Sequence, residues 1–277
     1  MLDFISKIPI AEGVSSFTDW LTNTFAFLFD PIKNQFGDFM ELVADSLAAV
    51  PPIIVILIVA ILAFFVTGKK YGLAVFSIVG LWLVYNQGLW EELMYTFSLV
   101  LIASVLSIVI GVPIGILMSK SKIAETIIEP ILDFMQTMPA FVYLIPAVAF
   151  FSIGMVPGIF ASLIFATPPT VRFTNLGIRQ VSKELVEASD AFGSTGSQKL
   201  FKVELPMARG TIMAGINQTV MLSLSMVVIA SMIGAPGLGR EVLSSLQRAQ
   251  VGTGFVAGIG IVILAIIIDR FTQNLNK

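Results

Sequence analysis

Long apolar stretches separated by short polar ones dominate this chain. Seven such stretches cover, approximately, residues 51–67, 71–86, 94–118, 131–151, 157–171, 211–234 and 252–269. A helix needs about 20 mostly apolar residues to cross the hydrocarbon core of a bilayer, with a usual range of about 17–25. The third and sixth stretches meet this length, and the second and fifth are short. The pattern predicts an all-α, polytopic transmembrane bundle of about seven spans, with six or eight as alternatives.

Prolines mark two places where the predicted spans are irregular. Pro139 and Pro146 interrupt the fourth stretch, and Pro168 and Pro169 follow the fifth. Within a membrane, broken helices occur where other protein or a water-filled path covers the freed backbone groups. We therefore expect breaks at these prolines, beside a path or a helix contact.

Composition supports the membrane assignment and excludes several classes of protein. Hydrophobic residues make up 56% and charged residues 12% of the 277 positions. Soluble domains carry about 25% charged residues, so this chain lacks the charge to cover a water-facing surface. The net charge of −2 argues against binding nucleic acid. The chain has no cysteine and no histidine, which excludes disulfides and histidine-based sites, and we predict neither a catalytic nor a metal-binding residue.

The basic residues give the predicted orientation, because they favour the cytoplasmic ends of membrane helices. With residues 172–210 in the cytoplasm, four of the sixteen basic residues lie outside: Lys7, Lys33, Arg240 and Arg248. The others lie inside: Lys69, Lys70, Lys120, Lys122, Arg172, Arg179, Lys183, Lys199, Lys202, Arg209, Arg270 and Lys277. This asymmetry predicts an extracytoplasmic N-terminus and a cytoplasmic C-terminus.

The first 50 residues differ from the rest because their acidic residues outnumber the basic ones. The segment FTDWLTNTFAFLF (17–29) mixes aromatic and polar residues. It predicts an amphipathic helix at the membrane interface, with Trp20 on the apolar side, and a short first core helix is the alternative. Residues 1–50 are assigned to an extracytoplasmic, interfacial region and residues 51–277 to the transmembrane domain.

The longest polar segment, residues 172–210, has the pattern of a docking element. Lys183–Phe192 predicts a short helix with one apolar side, and Gly193 is its expected stop. A second apolar set follows, which Pro206 is expected to close before the next span: Leu200, Phe201, Val203 and Leu205. A short amphipathic helix at the membrane face fits a groove on another protein.

The spacing within this segment resembles a known signature. The residues EAS at 187–189, Gly193 after three residues and VELP at 203–206 after nine more resemble E-A-A-x3-G-x9-I-x-L-P. This EAA motif marks the cytoplasmic coupling loop of ABC importer permeases, and Ser189 and Val203 are mild departures from it. The resemblance implies that the loop at 184–206 forms a coupling helix and docks an ATP-binding subunit. The implied docking residues are Glu187, Ala188, Ser189, Ala191, Phe192, Gly193, Leu205 and Pro206.

Three further stretches resemble the glycine betaine/proline-type osmoprotectant permeases. They are EPILDFMQTMPAFVYLIPAVAFF (129–151), FATPPTVRFTNLGI (165–178) and AGINQTVMLSLSMVVIASMIGAPGLG (214–239). The resemblance implies a type I importer fold over about residues 94–270, in a non-enzymatic permease of the plasma membrane. It implies an ATP-binding subunit that holds ATP and Mg²⁺, an extracytoplasmic betaine-binding protein and a second copy of the permease. No cofactor bound by this chain itself is expected.

The chemistry of a betaine indicates where its path runs. A fully methylated ammonium cannot donate hydrogen bonds and favours aromatic faces, whereas the carboxylate requires amide, hydroxyl or helix N-terminal donors. The fourth span supplies Asp133, Phe134, Met135, Gln136, Thr137, Phe141 and Tyr143, and the sixth supplies Asn217, Gln218, Met221 and Ser225. Residues 217, 221 and 225 share one helical face. Contacts between neighbouring helices are the alternative role for each candidate.

Glycines predict close helix contacts and one tight turn. Gly111 and Gly115, and also Gly254 and Gly258, are spaced by four residues and let helix backbones approach closely. Packing within one chain is expected, with a dimer contact as the alternative. The segment GAPGLG (234–239) predicts a tight outer turn, and docking of a binding protein there is the alternative.

Two acidic residues in or beside predicted spans, Asp133 and Asp269, bear on other functions. A charge inside a span is costly, so we expect Asp133 to be wetted, to pair with Lys120 or Lys122, or to take part in the path. An intramembrane aspartyl enzyme requires two carboxylates at one site, and neither residue has a second carboxylate predicted beside it.

Two other functions remain to be compared with the coupling loop. An importer for an amino acid or another small polar solute is compatible with this loop, whereas a stand-alone channel leaves it unexplained.

Overall fold

The regular structure of this chain is helical wherever the structure, a computed structural model, describes it. The description covers residues 9–274, apart from the side chain of Leu28, and contains no strand. The α-helices are α1 Ile10–Thr24, α2 Ala26–Pro31, α3 Gly37–Ala49, α4 Pro52–Val66, α5 Tyr71–Asn86, α6 Trp90–Lys120, α7 Lys122–Thr137, α8 Leu144–Phe151, α9 Met155–Arg179, α10 Lys183–Ala191, α11 Gly196–Lys199, α12 Leu205–Ser231, α13 Leu238–Gln247 and α14 Val251–Asn274. Two π-helical turns, Ile32–Phe36 and Leu200–Glu204, and a 3₁₀ turn, Ala140–Tyr143, connect some of them.

Length and apolarity identify the helices that could cross a membrane. Three described segments qualify alone: Trp90–Lys120, Gly196–Ser231 and Val251–Asn274. Two bent pairs raise the number to five, namely Phe29–Ala49 with α4, bent by 93°, and α7 with Ala140–Phe151, bent by 108°. The all-helical membrane architecture is confirmed, and by this criterion residues 9–274 supply three to five spans. Lys7 and Lys277, which entered the orientation argument, lie outside the described residues.

Of the expected proline breaks, the structure has one. α7 ends at Thr137 and the 3₁₀ turn begins at Ala140, so the chain breaks beside Pro139 as predicted. The break expected at Pro146 is wrong, because this residue lies in the first turn of α8, where the missing N–H has no helical partner to lose.

The break expected after the fifth stretch is also wrong, because α9 continues through Pro168 and Pro169. Hydroxyl groups bond the carbonyls of this region. Thr167 donates to the Leu163 carbonyl at 2.6 Å, and Thr219 of α12 donates to the Ala166 carbonyl at 2.8 Å. Bonds of this kind, together with neighbouring helices, let a membrane helix tolerate proline.

The N-terminal region forms more structure than the sequence predicted. The single helix expected over Phe17–Phe29 is two helices that separate at Phe25, and α1 begins earlier, at Ile10. α1 buries none of its residues, which agrees with an interfacial helix rather than a core helix. α3 was not predicted; it packs against α6, and its Met40 and Ala44 are completely buried.

Helix α9 packs between α6 and α12, and glycines set the spacing of these three helices. A Cβ atom built on Gly115 of α6 would lie 2.6 Å from the Thr174 Cβ of α9. One built on Gly177 of α9 would lie 3.0 Å from the Thr211 Cβ of α12, and one on Gly215 would lie 2.5 Å from the Phe173 Cβ. The contacts at Gly115 and Gly215 are too short for a Cβ atom unless a neighbour shifts, and a Cβ on Gly111 would likewise lie 2.9 Å from the Thr170 Cγ2 atom. The packing role predicted for the first glycine pair is therefore confirmed within one chain. We call α6, α9 and α12 the central three helices.

The second glycine pair is divided between two environments. A Cβ on Gly254 would lie 3.0 Å from the Ser245 Cβ of α13, whereas Gly258 has no atom within 4 Å of its Cβ position. Gly254 therefore has the predicted packing role within the chain, and Gly258 lies on an open face of α14.

The end of the bundle opposite residues 180–204 is tied together by polar contacts. The Tyr95 hydroxyl of α6 donates to the Asp45 carboxylate at 2.5 Å, and the Lys33 ammonium donates to the Ser152 hydroxyl at 2.8 Å. The predicted turn at 234–239 is present, since Gly237 has a φ of +118°, and it leads into α13, which the sequence did not predict. The N-terminal region thus lies on the same end as this turn.

The contact at Gly115 yields a stability prediction. Gly115→Ala forces a methyl group against the Thr174 side chain and the Val171 carbonyl, so we expect it to destabilise the bundle by about 1–3 kcal/mol. Gly258→Ala is the matched control, because the added methyl group meets nothing and alanine favours the helix. Thermal unfolding in detergent, followed by tryptophan fluorescence, measures both variants. An unchanged midpoint for Gly115→Ala would contradict the packing argument.

Candidate coupling surface and translocation path

The predicted coupling helix is present as α10. Ser182 caps its N-terminus, with its hydroxyl accepting from the Leu185 N–H at 3.3 Å. Glu184 follows in the first turn, and the pKa of its carboxyl is lowered because its own backbone N–H and the Ser182 hydroxyl donate to it. The helix ends at Ala191, one residue before the predicted end, and Phe192 is its C-cap.

Gly193 ends α10 in the way that the sequence predicted. Its φ of +76° lies in the left-handed region that favours glycine, and its N–H donates to the Asp190 carbonyl at 2.9 Å. The next residue, Ser194, donates its N–H to the Ser189 carbonyl at 3.1 Å. These bonds satisfy two carbonyls at the helix end and turn the chain sharply.

The chain beyond the turn folds back onto α10. Thr195 and Gln198 form a reciprocal cap at the start of α11. The Lys199 ammonium lies 2.8 Å from one carboxylate oxygen of Asp190 and 2.9 Å from the other. Residues 182–199 therefore form one compact body, which we call the coupling unit.

The coupling unit exposes apolar side chains together with charged ones. Phe192 is 90% exposed and Leu185 is 42% exposed, and Phe201 of the following π turn is 66% exposed. The predicted docking residues Glu187, Ala188 and Ala191 are exposed as well. Phenylalanine at such exposure is typical of a surface that another protein covers.

Two of the remaining predicted docking residues are buried or half-buried, and the third, Pro206, is exposed at the start of the next helix. Ser189 is 8% exposed and donates its hydroxyl to the Val186 carbonyl at 2.8 Å, so it faces inward. Leu205 is half-buried. The sequence predicted that Pro206 would end the preceding apolar segment, and this is wrong. Pro206 lies in the first turn of α12, within a helical segment that runs from Gly196 to Ser231. Prolines within membrane helices are accompanied by local departures from α-helical bonding, and here a π-helical turn directly precedes Pro206.

The break of the fourth predicted span is held by its own residues. The Tyr143 hydroxyl donates to the Met135 carbonyl across the break, and Tyr143 is buried. Tyr143 belongs to an apolar cluster with Met226 of α12, so the structure brings the two predicted path segments together here. Phe134 and Phe141 are 64% and 59% exposed. Gln136 and Thr137 are exposed too, and the Thr137 hydroxyl donates to the Phe134 carbonyl at 3.1 Å.

The path candidates on α12 separate into two groups. Gln218, Met221 and Ser225 are exposed on one side of the helix. Asn217 instead faces α14, where it donates to the Asp269 carboxylate at 3.1 Å and accepts from the Thr272 hydroxyl. Asn217 thus makes the kind of contact between neighbouring helices that was the alternative to lining the path, because its side-chain amide bonds to the polar end of α14. A cavity of about 560 Å³ lies there, lined by Met213, Ala214, Asn217, Gln218, Arg270, Thr272, Gln273 and Asn274.

Asp133 has a partner that the sequence did not predict. Its carboxylate lies 2.5 Å from the Arg172 guanidinium of α9, so the predicted pairing with Lys120 or Lys122 is wrong. Those lysines pair with Glu204 and with Glu125, respectively. The error arose because proximity along the chain favoured the two lysines, whereas packing of α7 on α9 brings Arg172 closer.

Two groups of residues went unnoticed in the sequence. The Lys120–Glu204 ion pair joins α6 to the chain just before α12. Arg179 of α9 lies 2.9 Å from Glu125 and donates to the Met118 carbonyl at 3.0 Å. The only available signal was a charge beside an apolar run, which does not identify the partner of that charge.

Across residues 9–274, no group of three or more acidic, histidine or cysteine side chains could hold a metal ion.

Comparison with known proteins matches residues 107–277 to the family described as "binding-protein-dependent transport system inner membrane component". The match covers more than half of the chain. The chain belongs to this permease family. The predicted family and a multi-pass location in the cell membrane are thereby confirmed.

Relatives of the permease match it over nearly its whole length. The glycine betaine/carnitine transport permease protein GbuB of Listeria monocytogenes is 58% identical over 99% of this chain and 97% of its own. OpuAB of Bacillus subtilis, a glycine betaine transport system permease protein, is 51% identical over the same shares. ProW of Escherichia coli, a glycine betaine/proline betaine permease, is 46% identical over 98% of this chain and 76% of its own. All three are transport permeases, which agrees with the predicted non-enzymatic role.

Solved structures share the fold of the permease. A chain of the MetNI methionine ABC transporter, in an inward-facing conformation, superposes with a TM-score of 0.59 at 24% identity. It covers 70% of this chain and 95% of the other. An amino acid ABC transporter solved with histidines gives a TM-score of 0.52 at 20% identity, over 70% and 91% of the two chains. At these identities the likeness establishes the ABC importer fold of the permease.

The geometry of Gly193 yields a prediction for docking. Gly193→Val places a β-branched residue at a positive φ, which costs about 1–2 kcal/mol or more. We expect the permease to insert normally in the membrane, but to lose the end of α10, co-purification with its ATP-binding subunit and uptake. Gly196→Val is the matched control, since Gly196 begins α11 without a positive φ and has open space around it. Equal co-purification of both variants would argue against the role of this turn.

Proposed function

We propose that this permease carries glycine betaine or a related quaternary ammonium osmoprotectant into the cell, as part of an ATP-driven importer used for osmoprotection. One observation carries the proposal: relatives 58%, 51% and 46% identical over nearly the whole chain are all named as glycine betaine permeases. The matched region, 99% of this chain in the first relative, spans the path segments as well as the coupling segment. An importer for an amino acid or another small polar solute is the second candidate, favoured only by the methionine and amino acid transporters of the same fold.

The proposed topology has seven spans, with the N-terminus outside and the C-terminus inside. α4, α5, α6, the bent pair of α7 and α8, α9, α12 and α14 correspond to the seven apolar stretches. α4 and α5, at 15 and 16 residues, are shorter than the usual span but pack together as a hairpin. Support for the orientation comes from the concentration of basic residues at the end that holds the coupling unit.

The proposed domain division assigns residues 1–50 to an interfacial region and residues 51–277 to the transmembrane domain, with the type I importer core at about 94–270. Within the first region, the Phe17 and Trp20 rings of α1 stack 6.0 Å apart and are more than half exposed. Aromatic rings of this kind favour the boundary between lipid and water. α1 is accordingly placed at the outer membrane surface.

The proposed coupling mechanism uses the exposed side of the coupling unit. Glu187, Ala188, Ala191 and Phe192 enter a groove on the ATP-binding subunit, which holds ATP and Mg²⁺. Closure of two such subunits then moves the coupling unit and tilts the central three helices as a rigid body. An extracytoplasmic binding protein delivers the solute at the opposite end.

The proposed path runs along the exposed side of α12 and beside the break near Pro139. Phe134 and Phe141 supply aromatic faces for a methylated ammonium, and Gln218 and Ser225 supply donors for a carboxylate. In one chain this side is open, so a second copy of the permease is proposed to close the path within the bilayer. Asn217, Met135 and Tyr143 act in this scheme by holding helices in place, because each makes a bond within the bundle.

Exposure of Phe192 yields a test of docking. Phe192→Ala removes a ring that is 90% exposed, so we expect the permease to remain as stable as the wild type. A ring buried at the centre of an interface contributes about 2 kcal/mol or more, so its loss is expected to weaken binding of the ATP-binding subunit about 30-fold. Phe255→Ala on α14, where the ring is 69% exposed, is the matched control. Binding measured in nanodiscs at equal strength for both variants would exclude Phe192 from the interface.

The cargo is tested by uptake into liposomes that contain the permease, its ATP-binding subunit and its binding protein. We expect ATP-dependent uptake of radiolabelled glycine betaine, reduced by other quaternary ammonium compounds and unaffected by excess histidine. Aromatic and weakly polar contacts cannot replace the N–H hydrogen bonds that an amino acid requires, which is why histidine should not compete. ATP hydrolysis stimulated by a different solute, without betaine uptake, would retain the importer and overturn the cargo.

A further inference from the structure

The coupling unit is connected to the central three helices at two places, and both are irregular. Upstream, α9 ends at Arg179 and α10 begins at Lys183, with a short non-helical connection between them. Downstream, the π-helical turn Leu200–Glu204 leads into α12. π-helical turns are less stable than α-helix and are places where helices bend. The coupling unit could therefore pivot at both connections.

The parts on either side of these connections are rigid. Within the coupling unit, Lys199 pairs with both carboxylate oxygens of Asp190. Among the central three helices, a Cβ on Gly177 of α9 would lie 3.0 Å from Thr211 and 3.2 Å from Ala208 of α12. Motion of the coupling unit therefore concentrates at the two connections.

The space beneath α10 leaves room for such a pivot. A cavity of about 270 Å³ lies between α10, the ends of α6 and α9, and the π turn. Val186 of α10, Ser119 of α6 and Ile178 of α9 are among its lining residues. Side-chain packing alone therefore does not hold α10 against the ends of the central helices.

An ion pair bridges this gap at the π turn. Glu204, the last residue of the turn, is 4% exposed, and its carboxylate accepts from the Lys120 ammonium at the end of α6. A buried carboxylate with a cationic partner is held strongly in place, because separating the pair leaves a charge without compensation. The pair ties the turn to a helix that is 84 residues away in sequence.

We propose that Glu204 is a positioning residue for coupling: its ion pair with Lys120 fixes the π turn to α6, so that movement of the coupling unit tilts the central three helices. Without the pair, the coupling unit pivots into the cavity, and ATP hydrolysis proceeds without transport. This inference rests on the proposed coupling function, but not on the identity of the cargo.

The first test compares transport with hydrolysis in the complete complex of permease, ATP-binding subunit and binding protein. Glu204→Gln is expected to leave co-purification and ATP hydrolysis near wild-type values, and to reduce the number of betaine molecules transported per ATP by about tenfold. Lys202→Gln is the matched control, because Lys202 lies exposed in the same turn and no ion pair of it is found in the described part of the chain. An unchanged transport ratio for Glu204→Gln would overturn the proposal.

A charge reversal separates this role from simple destabilisation. The double variant Lys120→Glu with Glu204→Lys recreates the pair in the opposite sense, so we expect it to recover at least about half of the wild-type transport ratio. Each single reversal is expected to be uncoupled. Failure of the double variant to exceed the single reversals would also overturn the proposal.

The second test does not depend on cargo, and uses the absence of cysteine from the chain. Spin labels at Ser197→Cys in α11 and Leu176→Cys in α9 report the distance between the coupling unit and the central helices. In a wild-type complex that contains one labelled and one unlabelled copy of the permease, we expect one narrow distance distribution that ATP leaves unchanged, because the two parts move together. In Glu204→Gln we expect a broader distribution that shifts with ATP.

The two tests distinguish failure of this proposal from failure of the proposed function. A wild-type complex that binds the ATP-binding subunit but does not transport betaine would overturn the cargo, and the spin-label test would still apply. An ATP-binding subunit that does not bind the permease would overturn the coupling function itself. Equal distance distributions in the wild type and Glu204→Gln would overturn the role of Glu204 alone.

Discussion

The close approach of α9 to α6 on one side and to α12 on the other sets the geometry of the remaining helices. In lipid, apolar side chains are already out of water, so packing them between helices gains no hydrophobic free energy. Van der Waals contact and hydrogen bonds therefore hold the helices together. Gly115 and Gly215 allow backbones to approach at distances that a methyl group would prevent, and at Gly177 a methyl group would be tightly packed. Because α9 packs closely along both neighbours, we expect the three helices to move together.

Hydroxyl groups complete this arrangement where the backbone is interrupted. Thr170 and Thr219, both completely buried, lie 2.7 Å apart, and Thr219 also bonds the Ala166 carbonyl. α9 can therefore carry two prolines in its interior without breaking. Proline, threonine and glycine have low helix propensity in soluble proteins. They suit α9 because neighbouring helices pack against it and bond its backbone.

Function is arranged around this rigid centre. The coupling unit is a compact body that stands beyond the ends of α6 and α9, connected by short irregular segments and exposing Phe192 at its tip. The break near Pro139 lets α7 and α8 meet α12 at Tyr143 and Met226. The central helices, the compact unit attached at one end and the broken span along one side are the features on which the proposed rigid-body transition depends.

The sequence by itself determined the membrane class, the family, the stop at Gly193 and, to within one residue, the helix that precedes this stop. These depend on local properties: apolar length, capping residues and fixed spacing along one segment. Only the tertiary structure decided that Asp133 pairs with Arg172, that Asn217 faces Asp269 and that α9 passes through its prolines unbroken. Each of these outcomes depends on which helix packs alongside, and a periodic pattern in one helix does not specify its neighbour. Hydrophobic periodicity predicts that one face of a helix is buried. Which neighbouring helix packs against that face depends on the packing of the whole bundle.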